Sequence, residues 1–242
     1  MDTFYSGVEW LGLAIVGVLL RVGFAAAIIL AVAAALLPFV YGVEGARRLL
    51  LQLRGVEAVR GLEWRSKPFY SSAHLWLRDR GRVVRLGLDG VAARLLARSE
   101  DVLLPSVGTQ LAQGATLALF QAGTRRVGVP SPIAGVVTSV NTRVNMTPGV
   151  ATHAPYGAGW LVEMSAAEGG FRTMRRAAAA RQWFDTEAAR LQLALDRARE
   201  ISAADGGVSM VPPGHLLSDQ QFEQLAAELL QATVVKGPRW TS

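Results

Sequence analysis

The chain has 242 residues, room for one membrane segment, one compact domain and an extension, but not for two large domains. Half of the residues are hydrophobic (51%), and the mean hydropathy of +0.28 is high for a soluble protein, with the apolar excess near the N-terminus. Cysteine is absent, which excludes disulfides, thiolate nucleophiles and Cys-based zinc sites; the net charge of +6 is almost wholly arginine, and Lys67 and Lys236 are the only lysines. His74, His153 and His215 are isolated, without the spacings of a transition-metal site, and read as surface or packing residues.

Residues 22–43, VGFAAAIILAVAAALLPFVYGV, form an uncharged apolar run, and WLGLAIVGVLL (10–20) precedes it across Arg21. At about 1.5 Å per residue, ~20 residues cross the ~30 Å hydrocarbon core. A signal peptide needs a basic start, but Asp2 and Glu9 lead instead, so residues 1–43 read as an uncleaved membrane anchor. Either the span begins after Arg21, with 8–20 as an interfacial helix, or one long tilted helix carries Arg21, which then snorkels or pairs with a neighbouring subunit. Arg47, Arg48, Arg54, Arg60, Arg65 and Lys67 follow the span, in a stretch (44–69) that reads as a basic juxtamembrane linker. The positive-inside rule then predicts a single-pass protein of the inner (cytoplasmic) membrane, N-terminus outside and main domain cytoplasmic. Arg47 and Arg48 are candidate contacts to anionic lipid, and the bilayer explains this basic stretch better than nucleic acid does.

From residue 70 to 167 the texture changes to short apolar runs broken by Gly, Pro and Asn. HLWLR (74–78), RVVRLGL (82–88), DVLLP (101–105), TLALF (116–120), GVVTSV (135–140) and GWLVEM (159–164) each read as a strand. Only GVAARLLARS (90–99) reads as a helix among them. The expected fold is mainly β, a small sandwich or flattened barrel, with Trp76 and Trp160 in packing roles and Gly108, Gly114, Gly135 and Gly149 at turns.

The order of these pieces resembles the glycine cleavage H protein, a member of the biotinyl/lipoyl carrier fold. YSSAHLWL looks like that family's opening strand, with His74 and Trp76 at its His-x-Trp positions, and LGLDGVAARLL is similar to its Gly-containing strand and following helix. LPSVGTQLAQG (104–114), SPIAGVVTSVN (131–141) and TPGVATHAPYGAGWLVEM (147–164) continue the likeness in order. The resemblance implies that the hairpin before Ser131-Pro132 carries a lipoyl lysine. Counting back from that Ser-Pro pair puts Thr124 at the lysine's position, and Gln121 stands where an acidic residue is usual. A hydroxyl cannot form the amide that holds lipoate, and no lysine lies between residues 68 and 235. A swinging arm is therefore not expected, nor any cofactor. Arg125 and Arg126 leave a basic knuckle at the turn, a candidate contact for an acidic partner, a phosphate or a lipid headgroup.

The remainder, 168–242, reads as a helical extension. Phe184, Ala188, Leu191, Leu195 and Ala198 step by helical intervals into one apolar stripe, and residues 204–215 read as a loop. A second helix follows, where Ser218 and Gln221 have capping-box spacing and Leu217 and Phe222 sit at staple positions. No Ser/His/Asp arrangement, P-loop, GxGxxG or closely spaced carboxylate pair appears at a plausible site, so the chain does not read as an enzyme. The expected role is a non-catalytic, membrane-anchored accessory subunit of a multi-subunit membrane complex, with a respiratory or photosynthetic electron-transfer assembly as host. Its expected partners are the other subunits and the bilayer. The alternative is a decoy or regulator that binds lipoyl-handling or one-carbon enzymes.

Overall fold

The computed structural model describes residues 21–22, 24–29, 32, 56–166, 169–204 and 217–236. The chain divides into two units, 1–54 and 55–242. In the first, Arg21, Val22, Phe24–Ile29 and Val32 are helical and exposed. Among the described residues no helix is long and apolar enough to cross a membrane. Most of the expected span 22–43, together with Arg47 and Arg48, lies outside the described residues.

The second unit is built on two sheets that share one core. The larger has seven strands: β3 (Phe69–Tyr70), β4 (Leu75–Asp79), β5 (Val84–Leu88), β7 (Gln110–Leu111), β10 (Gly135–Val140), β11 (Trp160–Ala166) and β12 (Arg175–Arg176), in the order β12-β3-β4-β5-β11-β10-β7. The smaller consists of β6 (Asp101–Leu103), β8 (Thr116–Ala122), β9 (Arg125–Pro130) and β13 (Thr233–Lys236), in the order β13-β9-β8-β6. Leu75, Leu77, Leu86 and Met164 from the first and Leu117, Phe120, Val127 and Val129 from the second are buried in the common core. The six strands expected from the apolar runs all form. The expected helix forms as α1 (Gly90–Leu95) and continues as a 3-10 turn over Leu96–Arg98.

Parts of the sequence reading are corrected. The stretch 44–69, read as a linker, contains a hairpin, β1 (Val56–Val59) and β2 (Leu62–Arg65). Its two-residue turn, Arg60-Gly61, has positive φ at both positions (50° and 77°), as a type I′ turn requires. Val59 and Trp64 turn inward and bury 95% and 98% of their surface. Second, the segment after β10 contains two short helices, α2 (Thr142–Met146) and α3 (Gly149–His153), the first capped by the Asn141 side chain accepting from Arg143 N–H. Third, two of the expected turn glycines are not at turns: Gly149 is the first residue of α3, and the other is Gly135. It lies in β10, where a Cβ would stand 2.3 Å from the Ser165 carbonyl oxygen, so its role is close backbone approach.

The extension packs on this body. Helix α4 (Ala177–Ala204) turns Ala180, Phe184, Ala188, Leu191, Leu195 and Ala198 inward, which is the expected stripe with one residue added. It lies against α1 and the β1–β3 region. Helix α5 (Asp219–Leu230) starts on the expected capping box: Ser218 Oγ accepts from Gln221 N–H, and Gln221 Oε1 accepts from Ser218 N–H. Leu217 and Phe222 are both buried. After α5 the chain forms β13, a strand that the reading of 168–242 as a helical extension did not include.

Trp76 shows how tightly the larger sheet is fitted. It is 1% exposed, its Nε1–H donates to the Pro155 carbonyl at 3.1 Å, and its indole lies across Gly87 of the neighbouring strand. A Cβ at residue 87 would meet the indole at 2.6 Å. Gly87→Ala is therefore expected to destabilise the domain by about 1–3 kcal/mol through overpacking; urea denaturation of the two proteins in parallel checks it.

Candidate functional site

Strands β8 and β9 form a hairpin in which Ala122 pairs with Arg125, leaving Gly123-Thr124 as the turn. Gly123 has φ +63°, the conformation that the first central residue of a type II′ turn needs and glycine accepts at least cost. Thr124 is exposed at the tip. The position where the resemblance expects a lipoyl lysine is thus presented to solvent with a hydroxyl on it. Gln121 is buried below the turn, and its Nε2–H donates to the Gly123 carbonyl at 3.1 Å.

Arg125 does not project toward a partner, as the sequence suggested. Its side chain is 8% exposed and is held by α5: Nη1 pairs with Asp219, and Nε donates to Glu223 Oε1 at 2.5 Å. The bond to Asp219, followed by that to Glu223, outweighs partial desolvation and holds the guanidinium above its ordinary range, so it stays charged at every accessible pH. The two acids are one helical turn apart, so one face of α5 presents both to the same cation. Arg126, in the same strand, is half-buried and pairs in register with Gln121 on one side and Val235 on the other.

Strand β13 completes this arrangement. It pairs antiparallel with β9 over Thr233↔Gly128, Val234↔Val127, Val235↔Arg126 and Lys236↔Arg125. Lys236 reads as a tail residue in the sequence, yet its backbone lies beside the hairpin, directly opposite Arg125. Neither the ion pair nor this strand was expected. In retrospect the signal was Asp219 and Glu223 at i, i+4 on a helix after a basic turn, but sequence does not say which cation such a pair will meet.

A second buried constellation lies elsewhere in the domain. His74 sits in the β3–β4 connection at φ +55° and is 1% exposed. Its Nδ1 is 2.8 Å from Asp89 Oδ2, its ring stacks on Trp183 of α4 at 4.6 Å, and Nε2 is 4.0 Å from Glu187 Oε2. Asp89 is fully buried, and its other oxygen accepts from Val91 and Ala92 N–H at the start of α1. Nearby, Tyr70 O–H donates to the Arg65 carbonyl at 2.7 Å, and its oxygen stands 3.3 Å from that of Tyr156. Burial pushes both phenols well above the usual tyrosine range, so they act as neutral hydrogen-bonding groups. These groups bind strands and helices to one another. His153 is exposed, with Nδ1 2.6 Å from the Gly149 carbonyl oxygen, and His215 lies outside the described residues. Among the described residues no cluster of three or more His, Cys, Asp or Glu could hold a metal ion.

A two-sheet body with a solvent-facing hairpin before a Ser-Pro pair defines the class of lipoyl-carrier-like β-domains. Comparison with known proteins sharpens this. A family model described as "Glycine cleavage H-protein" matches residues 68–181. The glycine cleavage system H protein of Legionella pneumophila (strain Corby) is 34% identical over 95 residues, covering 39% of this chain and 76% of that protein. The Mycobacterium avium (strain 104) protein of the same name is 33% identical over 100 residues, covering 41% and 76%. The mitochondrial H protein of Saccharomyces cerevisiae is 31% identical over 134 residues, covering 55% and 68%. A solved glycine cleavage system H protein from Mycobacterium marinum aligns with TM-score 0.44 at 22% identity, covering 51% of this chain and 99% of that one. The chain belongs to the glycine cleavage H-protein family. The family match ends at residue 181, so α5 and β13, which hold the hairpin, lie wholly beyond it.

Arg125→Ala should therefore loosen the extension rather than the sandwich. Because Asp219 and Glu223 are 65% and 31% exposed, they recover water when the cation is removed. The expected loss is about 1–2 kcal/mol, below that for a fully buried pair. Hydrogen exchange should accelerate in residues 217–236 while β4, β5 and β11 keep their protection.

Proposed function

We propose that this chain is a non-catalytic accessory subunit that uses an H-protein-like domain as a fixed protein-protein scaffold. It is tethered to the inner membrane by its N-terminal segment, with the main domain on the cytoplasmic side. The observation that carries the reading is the state of the hairpin. Its exposed tip is Thr124, which offers no amine for an amide to lipoate, and its flank is covered by β13 and clamped to α5 through Arg125. A carrier needs a modifiable, mobile arm at this point; here the turn has neither a lysine nor an open flank. The curated relatives bear the name glycine cleavage system H protein, and in this reading the chain keeps the body of that family without the lipoyl arm that the resemblance implies.

The tether rests on the apolar run 22–43 and the basic residues after it. A respiratory or photosynthetic electron-transfer assembly remains the proposed host. Arg21, Arg47 and Arg48 are its proposed lipid- or subunit-facing residues, and Arg126 lies in the clamped hairpin.

The test has two arms. Extraction in mild detergent followed by affinity purification should yield stoichiometric membrane-protein partners, and deletion of 1–43 or 216–242 should each release them. If both truncations leave every membrane complex unchanged, the scaffold reading fails. Intact-mass measurement of the protein from cells competent in lipoylation should show the unmodified mass. An adduct mapped to Lys236, the lysine paired opposite Arg125, would instead make the chain a carrier with a relocated arm.

A further inference from the structure

The face of the larger sheet formed by β4, β5 and β11 carries an excess of arginine with a definite geometry. Arg78 on β4 and Arg85 on β5 are directly opposite one another, and Glu163 on β11 is opposite Arg85. Like charges at directly paired positions are unfavourable in a sheet, so this row carries a repulsion that folding alone gives no reason to keep. Arg80 and Arg65 lie around it. Four guanidinium groups share two carboxylates: Glu163 takes Arg85 at 2.7 Å with Arg80 at 4.0 Å, and Glu63 takes Arg65 at 2.7 Å. Arg78 has no carboxylate partner among the described residues. Its guanidinium is spread over the Trp76 ring at 5.6 Å, as Arg85 is over Trp160 at 4.5 Å and Arg65 over Tyr156 at 5.4 Å. Desolvation, followed by the charges of Arg65, Arg80 and Arg85, depresses the affinity of Arg78 for its proton.

We infer that this arginine-aromatic face is a docking surface for an acidic segment of a protein partner, with a partner carboxylate seated on Arg78 as its anchor. This deepens the scaffold reading and rests on it. An incoming carboxylate would supply the missing counter-charge at Arg78. Guanidinium forks that rest over aromatic rings are restrained before a partner arrives, and their planar shape suits bidentate carboxylate recognition. Arg65 and Arg85 are only 28% and 23% exposed. That low profile suits a shaped protein surface, whereas headgroup binding favours long cations free to reach outward.

The experiment uses the full chain in detergent micelles and a fluorescein-labelled hexaglutamate peptide, with binding followed by fluorescence polarisation at low salt. The wild type should bind the peptide. Arg78→Gln should weaken binding by about tenfold or more, and Arg78→Lys, which keeps the charge but not the fork, should fall between. Arg197→Gln, an exposed change on α4 away from this face, should bind as wild type. The melting temperature separates docking from a structural role: loss of the Arg78–Arg85 repulsion should leave it unchanged or raised in Arg78→Gln. Equal affinity of wild type and Arg78→Gln overturns the inference, as does failure of the wild type to bind. Arg78-dependent binding to phosphatidylglycerol vesicles, without peptide binding, overturns it in favour of a membrane surface. Should the peptide result hold while detergent extraction yields no stoichiometric partner, it is the assembly reading that fails and not this face.

Discussion

One buried carboxylate ties the structure together. Asp89 is fully excluded from water, where an isolated charge would be prohibitive, and its oxygens are met by Val91 and Ala92 N–H and by the His74 ring. The first contacts start α1; the second holds the β3–β4 connection, where His74 has a left-handed backbone conformation. Such a conformation persists only where its surroundings fix it, and here both the Asp89 contact and the stacked Trp183 do so. Through that one carboxylate the sheet, the short helix and the long helix of the extension are oriented relative to one another. Helix α4 adds Phe184, whose ring tip would stand 3.2 Å from a Cβ at Gly90, the first residue of α1. The extension is thus an integral part of the domain and not a loosely attached tail.

The same principle operates more weakly at the hairpin. Arg125 is nearly as buried as a core residue, yet its partners sit at the surface, so the clamp is specific without being a large store of stability. Its consequence is positional. It sets α5 against β9, and the chain leaving α5 then adds a strand to that edge. The αL conformation of Gln231, at φ +51°, ends the helix and turns the chain into β13.

What the sequence made legible follows from the range of the forces involved. Strands at regular spacing, the capping box at Ser218 and the apolar stripe from Phe184 to Ala198 are local patterns, and each forms. The Arg60-Gly61 turn was missed because it lacks the Asn-Gly or Asp-Gly pairing that usually marks a type I′ hairpin, and the basic residues around it read more simply as a membrane-proximal linker. Helices α2 and α3, at five residues each, are too short to show a period. The site divides in the same way. Thr124 at the turn could be placed by counting, because only strand β9 separates the turn from the Ser-Pro pair. The contact of Arg125 with Asp219 and Glu223 joins residues about a hundred positions apart, and no local pattern encodes it.

The hairpin turn does not depend on the side chain at position 124. The turn is made by Gly123 and by the cross-strand pair Ala122↔Arg125; the exposed side chain at 124 contributes nothing to the core. A change of side chain there costs no packing and no buried hydrogen bond. In a sheet of β6, β8 and β9 alone, β9 would be an unpaired edge. Open edges invite pairing with other chains, and covering this one removes that hazard. Strand β13 does so, and Arg125, next to the turn, becomes the anchor for the helix that delivers it.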